Sequence, residues 1–192
     1  MLLAAALIVI GLIAALATGG SLQELARTRF RRIEVLVIGL ALQLGVTFLP
    51  GDLFEERGYL LILIASAAAA LFMFFNRNLP GMLLAAIGLT LNVVVISLNQ
   101  GMPVSLRAIE IAGAPEFAEE GEHTALDDDT KLPWLTDVVP VPIAGSVLSV
   151  GDLFLAAGLA RLVYGRAKGK GELPVDGVED GAGRADDEVV TE

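Results

Sequence analysis

Five runs of nearly unbroken apolar sequence, each close to the length of a bilayer-crossing helix, constrain this chain more than any other feature. Crossing the hydrocarbon core as a helix takes about 20 mostly apolar residues, because only helices and closed barrels satisfy their own backbone hydrogen bonds in lipid. The runs lie at residues 2–18, 33–48, 58–75, 80–98 and 143–164. The first two are short for this task and extend into the interface. Gly19-Gly20, Pro50-Gly51, Pro80-Gly81 and the pair Pro140 and Pro142 fall outside the runs or in a first helical turn, where such residues are tolerated. The expected fold is therefore all-α: a five-span membrane domain over residues 1–164, interrupted by an outer loop at 99–142, with a tail at 165–192.

Composition supports that reading. Hydrophobic residues make up 55% of the 192 and charged residues 19%, with a mean hydropathy of +0.70, which is not a water-soluble balance. The formal net charge of -10 would suggest an acidic soluble protein, but most carboxylates fall within residues 99–142 and 165–192. A basic nucleic-acid binder is excluded. The chain has no cysteine, so thiolate metal sites and Cys nucleophiles are excluded and the redox compartment is not indicated.

Lys and Arg set the orientation, since positively charged loops stay in the cytoplasm. Arg27, Arg29, Arg31 and Arg32 follow the first run, Arg77 follows the third, and Arg161, Arg166, Lys168, Lys170 and Arg184 lie at or beyond the end of the fifth. The alternate loops hold Arg57, Arg107 and Lys131. This asymmetry predicts the N-terminus outside and the C-terminus inside, as an odd number of spans requires. Ala15-Leu16-Ala17 looks like a signal-peptide cleavage site, but no basic segment precedes the apolar run, so the run reads as a retained span.

The loop at 99–142 is far longer than the usual connection of about 4–6 residues. It reads as partly ordered: Leu132, Trp134, Leu135, Val138 and Val139 can bury surface or sit at headgroup level, while residues 113–129 form an acidic, flexible stretch. The tail, without aromatics and rich in Gly and carboxylates, reads as disordered cytoplasmic chain. No internal repeat supports an inverted-repeat transporter.

Polar groups inside a span are costly, on the order of 2.5–3.5 kcal/mol for a central Asp, so each needs a reason. Asp152 is the one carboxylate within the 143–164 run, roughly 6–14 Å below the outer face at about 1.5 Å per residue. Asn92, Gln43 and Ser66 fall at similar depth on three other runs, and Ser149 lies one turn before Asp152. Two readings compete. In one, these side chains join helices by hydrogen bonds averaging about 0.6 kcal/mol, with a protonated Asp152 donating to Asn92. In the other, they line an outward-facing pocket for an ion, proton or head group.

His123 is the only histidine, so a His pair for a metal or haem is excluded. It stands among Glu119, Glu120, Glu122, Asp127, Asp128 and Asp129, whose spacing matches no EF-hand and reads as a solvated acidic segment. The small residues Ala41 and Gly45, Gly81 and Ala85, and those from Ser66 to Ala70 permit close helix approach.

The ordered series Asn76-Arg77-Asn78, Asn92, Asn99-Gln100-Gly101-Met102-Pro103-Val104, His123, Leu135-Thr136-Asp137-Val138-Val139-Pro140 and Ser149-Val150-Gly151-Asp152 resembles a family of small bacterial integral membrane proteins designated only as a domain of unknown function. The resemblance covers the five runs and not the tail, and implies no activity, substrate or cofactor. It groups Asn92 and Asp152 with Asn99, Met102, Pro103, His123 and Asp137, which favours a single outer-face constellation.

The expected location is the bacterial plasma membrane, with the lipid bilayer as partner and a membrane protein or a second copy as a further one. The leading functional expectation is a non-enzymatic binding or assembly component acting through the outer loop. Its rivals are a small carrier using Asp152 and, less favoured, a membrane enzyme on lipid or cell-wall precursors using His123 with Asp137 or Asp152. No cofactor is implied.

Overall fold

The computed structural model describes residues 2–46, 48, 51–114 and 123–170. It is mostly helical. The long helices are α1 (Leu2–Ala17), α3 (Ile33–Val46), α4 (Gly51–Phe75), α5 (Met82–Asn99) and α7 (Val150–Ala167), with short helices α2 (Leu22–Ala26) and α6 (Leu106–Ala112) between them. Among the described residues, α5 is the helix long and apolar enough to cross a membrane by length and composition. Shorter apolar stretches occupy Ala5–Ala17, Ile33–Gly45 and Leu60–Phe75.

The long helices pack as neighbours in the order α3, α4, α5, α7, α1. Gly81 stands against Gly158 and Gly88 against Gly151, so α5 and α7 run antiparallel. Gly11 stands against Ala160, and the Ser21 N–H donates to the Ala167 carbonyl at 2.7 Å, so α1 runs parallel to α7. Gly39 lies against Ala65 and Ala68, while Asn76 binds the backbone of Arg31, which makes α3 and α4 antiparallel. These registers bring residues 18–32, residues 76–81 and the end of α7 to one end of the bundle. Residues 101–114 and 123–149 lie at the other.

Contact between α5 and α7 depends on absent side chains. A Cβ on Gly88 would sit 2.4 Å from the Gly151 carbonyl oxygen, and one on Gly158 would sit 2.5 Å from the Ala85 nitrogen. Such small-residue interfaces let backbones approach closely. Phe72, Leu79, Met82 and Leu162 form a buried cluster near the first end, and Val95, Ile96 and Met102, with Leu63 and Leu135 against them, form another under the cap. Many large apolar side chains nevertheless face outward, among them Ile10 and Ile13 on α1, Val37 and Ile38 on α3, Ile64 and Leu71 on α4, and Leu83 and Ile87 on α5.

The segment after α5 is a small folded cap. Strand β1 (Met102–Val104) pairs in parallel with β2 (His123–Ala125) and is bridged on Val104 by Asp137. Strands β3 (Val139–Val141) and β4 (Ser146–Leu148) form an antiparallel hairpin around a 3-10 turn at Pro142–Ala144. Another 3-10 turn, Pro133–Leu135, rests on α5 and α7.

Three sequence expectations change. The apolar run 143–164 does not begin a helix at residue 143, because its first residues build the hairpin and α7 starts at Val150. The cause is local: Val139 and Val141 each precede a proline, which holds them extended, and Gly145 turns the chain at φ +56°. The stretch 113–129 contains β2 and a turn in which Asp127 Oδ1 accepts from the Asp129 N–H and the Thr130 hydroxyl, while residues 115–122 lie outside the described residues. The boundary of the tail also moves, since α7 continues to Ala167 with Gly165, Arg166 and Ala167 buried. Residues 171–192 lie outside the described residues.

Candidate functional site

The most connected polar cluster lies where α7 begins beneath the cap. Ser149 is the N-cap of α7: its Oγ accepts from the Asp152 N–H at 2.9 Å, and Asp152 Oδ2 accepts from the Ser149 N–H at 3.1 Å. This reciprocal capping box satisfies two helix-terminal donors and places a carboxylate at the positive end of the helix dipole. Asn92, one helix away on α5, completes the cluster. Its Oδ1 accepts from the Ser149 hydroxyl at 2.9 Å, and its Nδ2 donates to Asp152 Oδ1 at 2.8 Å. Ser149 is fully buried, Asn92 is 7% exposed and Asp152 is half-buried.

The helix backbones must approach closely for these bonds to form. Gly151 permits it, because a Cβ there would lie 1.9 Å from Asn92 Oδ1 and 2.6 Å from the Gly88 carbonyl oxygen. Both Asp152 oxygens act as acceptors, so the expected donation from Asp152 to Asn92 runs the other way. The expected depth changes as well: Asp152 stands in the first turn of α7, at the foot of the cap. The Ser149 hydroxyl is engaged as donor and acceptor and is enclosed, which leaves it unsuited to nucleophilic attack.

The other expected site residues divide into two sets. Asn99, at the end of α5, holds the cap: its Nδ2 donates to the Val95 and Lys131 carbonyls, and its Oδ1 accepts from the Lys131 N–H at 2.8 Å. Met102 and Pro103 are buried on β1, with Met102 in the apolar cluster over Val95. His123 is in register with Met102 on β2, and the Asp137 N–H donates to the Pro103 carbonyl at 3.0 Å from the opposite side of β1. Met102, Pro103, His123 and Asp137 therefore meet in one layer of the cap. Asp137 is buried.

Gln43 and Ser66 stand apart. Gln43 is exposed on α3, which packs chiefly on α4, and Ser66 is half-buried on α4; neither joins the Asn92, Ser149 and Asp152 network. The four-helix polar belt expected from helix depth thus reduces to α5 and α7, because α3 lies on the far side of α4 from α7. Among the described residues no three His, Asp or Glu side chains gather as a metal site, and Glu119, Glu120 and Glu122 lie outside those residues.

Two polar centres at the opposite end make contacts that the sequence does not assign, although Asn76 stands in the motif series quoted above. Asn76 is fully buried: its Oδ1 accepts from the Arg31 N–H at 2.7 Å and its Nδ2 donates to the Arg31 carbonyl at 2.9 Å and the Phe72 carbonyl at 2.8 Å. It pairs with the chain before α3 as a strand would. Arg166, 5% exposed, donates from Nε to the Thr28 hydroxyl at 3.1 Å and from Nη1 to the Lys170 carbonyl at 2.8 Å. An Asn or Arg just outside an apolar run looks solvated in sequence, and the partners that bury them here are 45 and 138 residues away.

These geometries can be set beside known proteins. The family of unknown function DUF5317 matches residues 27–164, which span all of the motifs carrying the resemblance noted above. The chain belongs to this family. An uncharacterized protein of Thermotoga maritima is 30% identical over 146 residues, covering 73% of this chain and 78% of its own length. No solved structure matches. The family match takes in both halves of the network, Asn92 and Ser149 with Asp152, and the cap between them.

Proposed function

We propose that this DUF5317 protein is a five-span protein of the bacterial plasma membrane, N-terminus outside, whose outer cap binds or assembles with a partner and whose polar network serves to seat that cap. The observation that carries the assembly reading is the closure of the Asn92, Ser149 and Asp152 cluster. Each of its side chains is spent on fixing α7 to α5 directly under the cap. A carrier needs a titrating group that a ligand can reach, whereas both oxygens of Asp152 already accept hydrogen bonds from the bundle.

The span reading is supported by the outward-facing apolar side chains on α1, α3, α4 and α5, and by the helix directions. Arg27, Arg29, Arg31, Arg32, Arg77, Arg161, Arg166, Lys168 and Lys170 collect toward one end of the bundle and the acidic cap stands at the other, the distribution that positive-inside topology calls for. The cap itself offers apolar surface: α6 packs on the β3–β4 hairpin and leaves Leu106, Ile111 and Ile143 exposed, with Trp134 64% exposed on the turn before it. Exposed aromatic and aliphatic anchors of this kind favour a protein partner or the headgroup layer.

Melting temperature measured against divalent cations, in wild type and Asp152→Asn side by side, tests the assembly reading against the carrier. Matching flat profiles are expected. A cation-dependent stabilisation of the wild type that disappears in the variant would establish the carrier instead, since a ligand selective for the folded state adds stability as RT ln(1 + [L]/Kd). Photo-cross-linking from positions 134 and 143 in intact cells should give adducts of one defined protein mass; adducts to lipid alone would remove the assembly role.

A further inference from the structure

A groove of about 500 Å³ runs along the outside of the bundle between α4 and α5. Its walls include Ala67, Ala70 and Phe74 from α4 and Leu83, Ile87 and Thr90 from α5. The Thr90 hydroxyl donates to the Ala86 carbonyl at 2.7 Å, so its proton is already used within α5. At one end the groove continues into a second hollow of about 310 Å³ that shares Leu83 and Ile87 and is lined also by Arg77 and Arg161. Arg77 comes from the turn after α4, where its guanidinium lies 4.6 Å from the centre of the Phe74 ring. Arg161 comes from α7, held beside the turn because Gly81 has no side chain to separate them. Both arginines are exposed, and among the described residues neither forms an ion pair.

We infer that this groove holds an acyl chain of an anionic phospholipid from the leaflet at the Arg77 end, with Arg77 and Arg161 on the lipid phosphate. The inference rests on the reading of the helices as membrane spans. Charge complementarity selects the occupant: a second copy of this chain or another helix would fill the apolar part but would leave two guanidinium groups at its mouth without a counter-charge. The dimensions agree with a lipid tail. From Leu83 to Val93 the α5 wall extends about 15 Å at 1.5 Å per residue, which is half of the ~30 Å hydrocarbon core and so one leaflet deep. Small residues on α4 make the hollow, and the Phe74 ring beneath Arg77 fixes the guanidinium at the level where the chain ends and the head group begins.

The test uses the full chain in mild detergent, with dioleoyl phosphatidylglycerol and dioleoyl phosphatidylcholine as probes that differ only in head group. Binding of each is counted by native mass spectrometry. Phosphatidylglycerol should bind more tightly, with about a fivefold loss for each of Arg77→Gln and Arg161→Gln, roughly the effect of one basic side chain at an anionic surface. Phosphatidylcholine has the same phosphate but a choline cation beside it, so it should bind more weakly and lose less from each substitution. Ala67→Trp, at an exposed groove position, should weaken both lipids without lowering the melting temperature. Equal affinities for the two lipids, or a preference that survives in the double arginine variant, would overturn the site. So would full competition by glycerol phosphate, which lacks chains, or a dimer that Ala67→Trp dissociates. Carbonate extraction of membranes separates the two levels: release into the supernatant defeats the span reading itself, whereas retention with equal lipid affinities defeats only the lipid site.

Discussion

At the scale of single residues, Asp152 is best understood as an acceptor. It receives the Ser149 N–H on one oxygen and the Asn92 amide on the other, and an asparagine at 152 would offer one acceptor and one donor in place of two acceptors. Asp152→Asn should therefore cost about 1–3 kcal/mol, the penalty of facing a partly buried donor with another donor, and not the ~0.6 kcal/mol of an average interhelical bond. Thermal melting in detergent measures it, and a variant as stable as wild type would mean the amide network is dispensable. Ser149→Ala should cost at least as much. That change removes an N-cap worth about 1 kcal/mol and also leaves the buried Asn92 carbonyl without its donor.

At the scale of elements, the contact between α5 and α7 is decided by glycine. Alanine at 151 would thrust a methyl group into both Asn92 and the Gly88 backbone, so Gly151→Ala should lower stability by about 1–3 kcal/mol or more and break the network as well. Gly45 on α3 has open space around it, and Gly45→Ala should be neutral or stabilising by up to ~1 kcal/mol through helix propensity alone. Unfolding of the pair under identical detergent conditions checks the contrast, and equal effects would contradict the close approach of α5 and α7. The turn before α3 has a similar dependence on one side chain. Asn76→Ala removes three hydrogen bonds from a fully buried position and should loosen residues 28–32, visible as faster hydrogen exchange at Arg31.

For the whole molecule, the informative boundary is the end of α7. A chain ending at Lys170 keeps Arg166 on Thr28, the Ser21 N–H on the Ala167 carbonyl and the Lys168 ammonium on the Thr18 carbonyl, so it should fold and insert as the full chain does. Ending at Tyr164 removes all three ties between α7 and the α1–α2 segment. The yield of folded, membrane-inserted protein should then fall, and undiminished yield would show that these ties are dispensable. Topology is tested separately by fusions. A reporter after Glu192 should work only as a cytoplasmic reporter and one inserted near Gly121 only as an exported one, and the reverse pattern would invert the orientation drawn from the basic residues.

Local composition was enough to mark the helices. Apolar runs of helical length and Gly and Pro at their edges located all five long helices, three of them with nearly correct ends, because these signals act within a few residues of where they are written; α4 begins at Gly51, seven residues before its apolar run, where the charged residues of its first turns hide it from a hydropathy reading. The start of α7 was misplaced for the same reason in reverse: residues 143–149 are apolar enough for a span, and the prolines and Gly145 that bend them into a hairpin carry little weight in a hydropathy reading. Cost arguments also singled out Asn92, Ser149 and Asp152, since a polar group among apolar neighbours needs a partner wherever that partner lies. Only the tertiary structure decided which partner. Residues 57 and 60 positions apart were joined and Gln43 was left outside, because the order in which helices pack depends on the sum of many weak backbone approaches and on no single motif. The layer uniting Met102, Pro103, His123 and Asp137 is likewise a matter of strand register, which comes into being only when the cap closes over α5.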